Sequence, residues 1–377
     1  MPSHHHLDRV EIRRFRGLSQ LDLDGLGRFN VLLGANDVGK TSVLEALFLL
    51  TGFANLTVPV RIQQWRRLPI DRFEHFEALF HQIDPDQPIE LVAHSGGAIV
   101  RRTLRISAPY TELEVDPEAP ASAGGGDGRS RTSASVGPAG GQSSSSLLSA
   151  RRRHLRYDVT VQPRDGDAAS YSAMLRRRED GFQVKQSAEP ADEATISARY
   201  MTPAVDYDGA AIGDLIVRKE VGRLVQFLKE VNPRIRDVAA SGDLVYLDIG
   251  LDRMVPLNLF GSGMVRAASV LSHCMLGNER LLFLDELENG LHHAAVRPFL
   301  EALLVLSRDQ DMQVFVTTHS LAVLQSLLDV LGCDGFASHR STTHCYTLKR
   351  DREGRVRPYR YEYAQFEHCV RHGIEIR

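Results

Sequence analysis

The chain has 377 residues, 43% of them hydrophobic, with 45 basic and 48 acidic side chains and a net charge of −3. This is the balance of a soluble globular protein with a sizeable core, and it excludes a polycation that coats nucleic acid by bulk charge. No run of 18 apolar residues and no apolar N-terminal segment occurs, so neither a membrane span nor a secretory signal is expected.

Four scattered cysteines, Cys274, Cys333, Cys345 and Cys369, form no CxxC pair, which points to a reducing, cytoplasmic setting. His344, Cys345, His368 and Cys369 match no zinc-ligand spacing, and unpaired thiols are the preferred reading. Basic charge is 40 arginines against five lysines, which makes Lys40 stand out.

In chain order, Val10 and Ile12, then Leu21 and Leu23, alternate with polar residues as a hairpin of half-buried strands does. Residues 29–33 are an apolar run feeding a glycine loop, and 41–50 put Val43, Leu44, Leu47 and Leu50 on one helical face. Residues 89–92, 99–106 and 155–161 read as further strands. Between them, 22 of the 35 residues from 116 to 150 are Gly, Ser or Ala and three are Pro, so a disordered insertion within one sheet is expected. Residues 170–240 read as mostly helical, with 216–231 the clearest amphipathic stretch, ended by Pro233. From 244 to 318 the alternation of strand and helix is that of a parallel α/β core. The last 50 residues read as a small α+β cap.

Four motifs carry the chemistry. Gly34-Ala35-Asn36-Asp37-Val38-Gly39-Lys40-Thr41, followed by Ser42, fits GxxxxGK[ST] between a strand and a helix. The glycines allow a sharp turn whose N–H groups face an anion at a helix N-terminus. That points to a triphosphate, with Lys40 on β/γ oxygens and the Thr41 hydroxyl on Mg2+. Leu281–Leu284 is a strand buried on both faces with Asp285 and Glu286 at its C-terminal end, where α/β proteins bind ligands. Asp285 is the candidate to hold Mg2+ through water, and Glu286 to polarise the attacking water. Residues 313–317 form another apolar strand, ending in Thr317, Thr318 and His319, with His319 34 residues after Asp285. The helix between them carries Val296, Phe299, Leu300, Leu303 and Leu304. Asp285 and His319 should therefore end on adjacent or near-adjacent strands, with His319 near the γ-phosphate. Gly261-Ser262-Gly263-Met264 precedes a helix at 267–276, a second turn suited to anions.

In this order the motifs resemble the ABC-type ATPases, above all their SMC/RecF branch. Within it they are similar to the ATPase part of the overcoming-lysogenization-defect (OLD) nucleases and to stand-alone ATPases of bacterial defence systems. Ile12-Arg-Arg-Phe-Arg16-Gly-Leu18 resembles that branch's first strand, 285–292 its Walker B and D-loop, and 373–377 its end. The resemblance implies a P-loop NTPase fold of the α/β class, with a mixed central sheet, an antiparallel β subdomain and a helical insertion. On that basis 1–115 and 151–169 form the N-terminal half of an ATPase head, and 116–150 the Gly/Ser/Ala-rich insertion. Residues 170–243 form the helical insertion, 244–330 the C-terminal half and 331–377 the cap.

The resemblance further implies a head-to-tail homodimer, or a higher oligomer. ATP would lie between one phosphate loop and the partner subunit's signature, Gly261, Ser262, Gly263 and Met264. Glu286 would be the general base, His319 the γ-phosphate sensor, and Glu288, Asn289, Gly290 and Leu291 the D-loop. The signature reads Gly-Ser-Gly-Met where the family has Ser-Gly-Gly-Gln, and Gln63, Gln64 and Gln82 all remain open as the Q-loop glutamine. Arg16 is weighed as a phosphate contact against a solvated strand arginine, the preferred reading.

The expected function is an ATP-binding and ATP-hydrolysing dimeric switch for a nucleic-acid-directed or phage-defence effector. A fused TOPRIM nuclease would need an acidic α/β unit after His319, where 58 residues follow, so the nuclease is expected as a separate protein. Arg101, Arg102 and Arg105, then Arg151–Arg153 with Arg156, then Arg176, Arg177 and Arg178 make DNA a candidate partner against the simpler reading of solvated faces. The alternatives are a pseudo-ATPase scaffold and the nucleotide-binding subunit of an ABC transporter.

Overall fold

The computed structural model describes residues 6–52, 57–97, 99–112, 151–178, 181–186, 196–204, 207–242, 244–374 and 376. The insertion expected at 116–150 lies outside the described residues.

Strands β1 (Arg9–Phe15) and β2 (Leu18–Asp24) form the expected hairpin, with Val10 opposite Leu23 and Ile12 opposite Leu21. Strand β3 (Phe29–Leu33) leads through the glycine loop into α1 (Lys40–Thr51), and α2 (Val58–Trp65) follows. Two 3-10 turns, Phe73–Leu79 and His81–Ile83, precede β4 (Ile89–His94) and β5 (Ile99–Ser107). A short pair, β6 (Tyr110–Glu112) and β7 (Arg151–Arg153), flanks the undescribed stretch. Then come β8 (Leu155–Pro163), β9 (Ala169–Arg178) and β10 (Gly181–Gln186). Seven of these strands make one antiparallel sheet, ordered β10-β9-β8-β5-β4-β1-β2.

The rest of the chain builds the central sheet and its helices. Strand β11 (Ala198–Met201) is followed by α3 (Gly209–Val217) and α4 (Gly222–Val231). A three-stranded sheet, β12 (Asp237–Ser241), β13 (Leu244–Asp248) and β14 (Val255–Pro256), precedes α5 (Ser262–Leu276). Next come β15 (Leu281–Leu284), α6 (His293–Asp309), β16 (Gln313–Thr317) and α7 (Leu321–Gly332). The chain closes with β17 (Thr343–Arg350), β18 (Val356–Tyr361) and α8 (Tyr363–Arg371). The six-stranded order is β11-β15-β16-β3-β17-β18, parallel as far as β17 and antiparallel only at β18.

Side-chain alternation divides the interior into two cores. Phe29, Val31, Leu33, Leu282, Leu284, Val314 and Val316 face helices α3 to α7. Leu32, Leu281, Phe283 and Phe315 point the other way, against α1 and the antiparallel sheet. Each fully buried side chain of this kind contributes about 1.5–3 kcal/mol, so strands covered on both faces occupy the middle of the molecule.

Three expectations are corrected. The helical insertion at 170–243 is in large part strand: β9 and β10 extend the antiparallel sheet, and β11 borders the central one. Among the described residues of this stretch, helix is confined to α3 and α4, separated where Lys219 takes a positive φ of 61°. The C-terminal cap is not separate, because β17 pairs in parallel with β3 and is buried on both faces over most of its length. Helix α5 begins at Ser262 and not at 267. Among the described residues no single helix is long and apolar enough to cross a membrane.

Candidate nucleotide-binding site

Strands β15, β16 and β3 are neighbours in register, so the loops leaving their C-terminal ends meet. The glycine loop leaves β3, the acid pair leaves β15, and Thr317 to His319 leave β16.

Two glycines shape the loop, with φ of 138° at Gly34 and 112° at Gly39. A Cβ on Gly34 would sit 2.6 Å from the Leu348 carbonyl oxygen, so the close approach of β17 also requires glycine there. Gly39 starts α1 without a side-chain cap, which leaves first-turn N–H groups to an anion. Ala35, Asn36 and Asp37 are exposed, Val38 is buried, and Thr41 and Ser42 are half-buried. Lys40 Nζ donates to the carbonyls of Gly34 (2.7 Å) and Ala35 (2.9 Å), which uses two of its three protons. Burial pushes the Lys40 ammonium below the ordinary lysine range, against the opposing pull of Asp285, Glu288, Glu286 and Asp37.

Asp285 is 2% exposed, and its Oδ1 accepts two hydroxyls, from Thr41 at 3.1 Å and from Thr317 at 2.6 Å. Thr317 Oγ1 also accepts the Glu286 N–H at 2.7 Å. Glu286 itself holds a left-handed backbone, φ 49°. Glu288 Oε1 takes the His319 N–H at 3.0 Å and lies 3.2 Å from His319 Nδ1, so the ring is held at the end of β16.

The signature turn packs on the D-loop backbone. A Cβ on Gly263 would meet the Gly290 carbonyl oxygen at 2.0 Å, so no larger residue fits without moving one chain segment. Gly290 in turn has φ 76°. Gly261, Gly263, Met264, Gly290 and Leu291 line a cleft of about 280 Å³ beside this contact.

Thr41 and Asp285 are hard oxygen donors beside the phosphate loop, the set that Mg2+ takes together with water and phosphate oxygens. Among the described residues no group of three or more His, Cys, Asp and Glu could hold a metal ion.

Several residues go beyond the motif reading. Thr317 joins Asp285 to Glu286, and its signal was a hydroxyl ending an apolar strand. Arg16 is not a solvated strand arginine: only 12% of its side chain is exposed, and its Nε lies 2.8 Å from buried Glu45 on α1, whose other oxygen is 2.8 Å from Arg66 Nε. Gln63, one of three open Q-loop residues, is fully buried, accepts from Arg16 at 3.5 Å and donates to the His75 carbonyl. Trp65 stacks on Tyr200 with ring centroids 4.7 Å apart. Of the arginine clusters, Arg102 is buried, Arg153 pairs with Asp86 at 2.8 Å and Arg156 with Asp158 at 3.0 Å. Arg101 and Arg105 are exposed, while the side chains of Arg151, Arg152, Arg177 and Arg178 lie outside the described residues.

Comparison with known proteins agrees with this geometry. A Helicobacter pylori protein named ATP/GTP phosphatase is 22% identical over 371 residues, covering 92% of this chain and 93% of the relative. The DNA replication and repair protein RecF of Acinetobacter baumannii is 56% identical over 45 residues, 12% of each chain. Among solved structures, an Smc head bound to the C-winged helix domain of ScpA superposes with a TM-score of 0.50 at 9% identity, covering 95% of this chain and 98% of that one. That likeness gives the fold, a P-loop ABC ATPase with a mixed central sheet. The family model described as "AAA domain, putative AbiEii toxin, Type IV TA system" matches residues 29–325, more than three quarters of the chain. The chain belongs to this AAA-domain family, and it is similar to the RecF protein locally and to an Smc head in fold.

Proposed function

We propose that the chain binds and hydrolyses ATP and works as a dimeric switch for an effector carried by another protein. The observation that carries this reading is the Asp285 oxygen shared by Thr41 and Thr317, which ties the phosphate loop to the acid pair. The name of the Helicobacter relative, ATP/GTP phosphatase, supports triphosphate hydrolysis, and the family description supports a role in defence.

The amides of residues 34–41 and the Lys40 ammonium surround the β- and γ-phosphates. Lys40 gives up the Gly34 and Ala35 carbonyls to reach them. The nucleoside extends into the cleft of about 780 Å³ lined by Arg16, Gly17, Ser19, Phe80, Ile83 and Arg350. Thr41, and Asp285 through water, would hold Mg2+, which would neutralise developing phosphate charge. Glu286 orients the attacking water, and His319 meets the γ-phosphate while Glu288 holds its ring. The N-terminus of α5, at Ser262 and Gly263, completes the site of a partner subunit with its helix dipole. In this reading DNA is a candidate partner of the assembled switch, and the effector is a nuclease.

Nucleotide binding, phosphate release and light scattering test the proposal together. Lys40→Ala should weaken ATP binding by about 30-fold or more, since a buried charge contact is worth about 2–5 kcal/mol. Glu286→Gln should retain binding, lose about 100- to 1,000-fold in turnover and accumulate dimer. Undiminished turnover in Glu286→Gln would remove Glu286 from the mechanism.

A further inference from the structure

Arg266 stands on the second turn of α5, four residues past the signature serine, and is 2% exposed. A guanidinium is charged at any working pH, so a buried one must be held by several acceptors. Its acceptors include main-chain carbonyls from two segments. Nη2 donates to the Asp285 carbonyl, and Nη1 donates to those of Asn289 (3.4 Å) and Pro203 (3.0 Å). Asn289 Nδ2 reaches the same Pro203 oxygen at 3.0 Å. One side chain thus ties α5 to the acid pair, to the D-loop and to the segment leaving β11.

The backbone that these bonds surround is strained. Glu286 has φ 49°, a conformation that costs a non-glycine residue about 1–2 kcal/mol and persists only where neighbours enforce it. The enforcement comes from both sides. Arg266 holds the carbonyl before Glu286, Thr317 Oγ1 holds the Glu286 N–H, and the Thr317 carbonyl accepts the Leu287 N–H at 3.0 Å. The Asn289 N–H closes back on the Glu286 carbonyl at 2.9 Å.

We infer that Arg266 is a positioning residue: it fixes the left-handed backbone of Glu286 and thereby aims its carboxylate, and it couples that aim to the start of α5. The inference rests on the proposed function, in which α5 meets the partner subunit's phosphate and Glu286 orients water. Arrival of phosphate at Ser262 and Gly263 then bears on the carboxylate of the same chain through one rigid side chain. Lysine cannot replace it, because a single ammonium on a flexible stem lacks the planar fork that reaches three carbonyls.

The test compares Arg266→Lys and Arg266→Met, each alone and combined with Glu286→Gln, for ATP affinity, kcat, KM and melting. The expected result is a fall in kcat of about 30-fold or more with KM within about threefold, lysine recovering only part of it. In the Glu286→Gln background the same substitutions should change the residual rate by less than about twofold, because effects through one group do not add. An unchanged kcat in Arg266→Lys, equal losses with and without Glu286, or loss of the cooperative melt in Arg266→Lys would each overturn the inference. If wild-type protein releases no phosphate, the proposed function falls and this inference with it. If wild type turns over and Arg266→Lys matches it, only the inference falls.

Discussion

On the outer face of the antiparallel sheet, opposite charges stand side by side. Arg13 lies 2.7 Å from Asp22, Arg9 3.1 Å from Asp24, and Arg156 3.0 Å from Asp158, all partly or wholly in water. At the C-terminal edge of the parallel strands the arrangement is the reverse. Lys40 and Asp285 are nearly out of water, where Lys40 bonds carbonyls and Asp285 bonds hydroxyls. Exposed pairs neutralise one another and contribute about 0–1 kcal/mol each. A buried lysine that rests on the carbonyls of its own loop is organised for an anion that arrives later. The contrast also bears on the arginine-rich clusters, since two of their members, Arg153 and Arg156, are already engaged by carboxylates.

The largest way to break this comparison lies at the junction of the two regions. Glu45 on α1 forms an ion pair with Arg16 from the antiparallel side, accepts a hydrogen bond from Arg66 just past the end of α2, and is 2% exposed. Glu45→Ala leaves Arg16 buried without that carboxylate and should destabilise by about 3 kcal/mol, the low end for a buried pair because Arg66 is 38% exposed. Urea unfolding measures it, and a loss under about 1 kcal/mol would show that the triad does not join the two halves.

A smaller effect comes with pH. Burial holds His6, His154, His273, His339 and His344 below the ordinary histidine range, with members on both sides of the molecule. They take up protons less readily when folded than in the unfolded chain, where histidine is protonated near pH 6.5. The unfolded state therefore binds more protons as pH falls, and stability should drop below about pH 6.5. Melting at pH 8 and pH 5.5 checks this, and an equal or higher Tm at pH 5.5 would contradict it.

The smallest expected effect sharpens the contrast from the exposed side. Arg156→Ala should change stability by less than about 1 kcal/mol and leave ATP turnover unaltered. A larger loss would mean that the outer sheet face is more than a neutralised surface.

Much of the site was legible because its parts are local. The glycine loop, the acid pair after an apolar strand and the Thr-Thr-His strand end are each short and each fixed by backbone needs, such as the positive φ at Gly34 and Gly39. The hairpin β9–β10 was hidden because its strands carry Ser, Ala and Arg where one face is solvated, so the apolar alternation of Tyr171, Ala173 and Leu175 is thin. Strand β17 was hidden for another reason: its partner β3 lies some three hundred residues earlier, and pairing over that span leaves no local trace. Arg266 lies two residues past the Gly261–Met264 motif, but an arginine in a helix reads as solvated until its burial is known.

The sequence by itself determined the phosphate loop, the order of the motifs and the apolar strands that carry them, because turn geometry and side-chain period are properties of neighbouring residues. Only the tertiary structure decided which strand ends meet, that Thr41 and Thr317 share one oxygen of Asp285, and that Arg266 and Glu45 are buried ions. Those facts depend on strand order and on exclusion of water, which arise only when distant segments pack together.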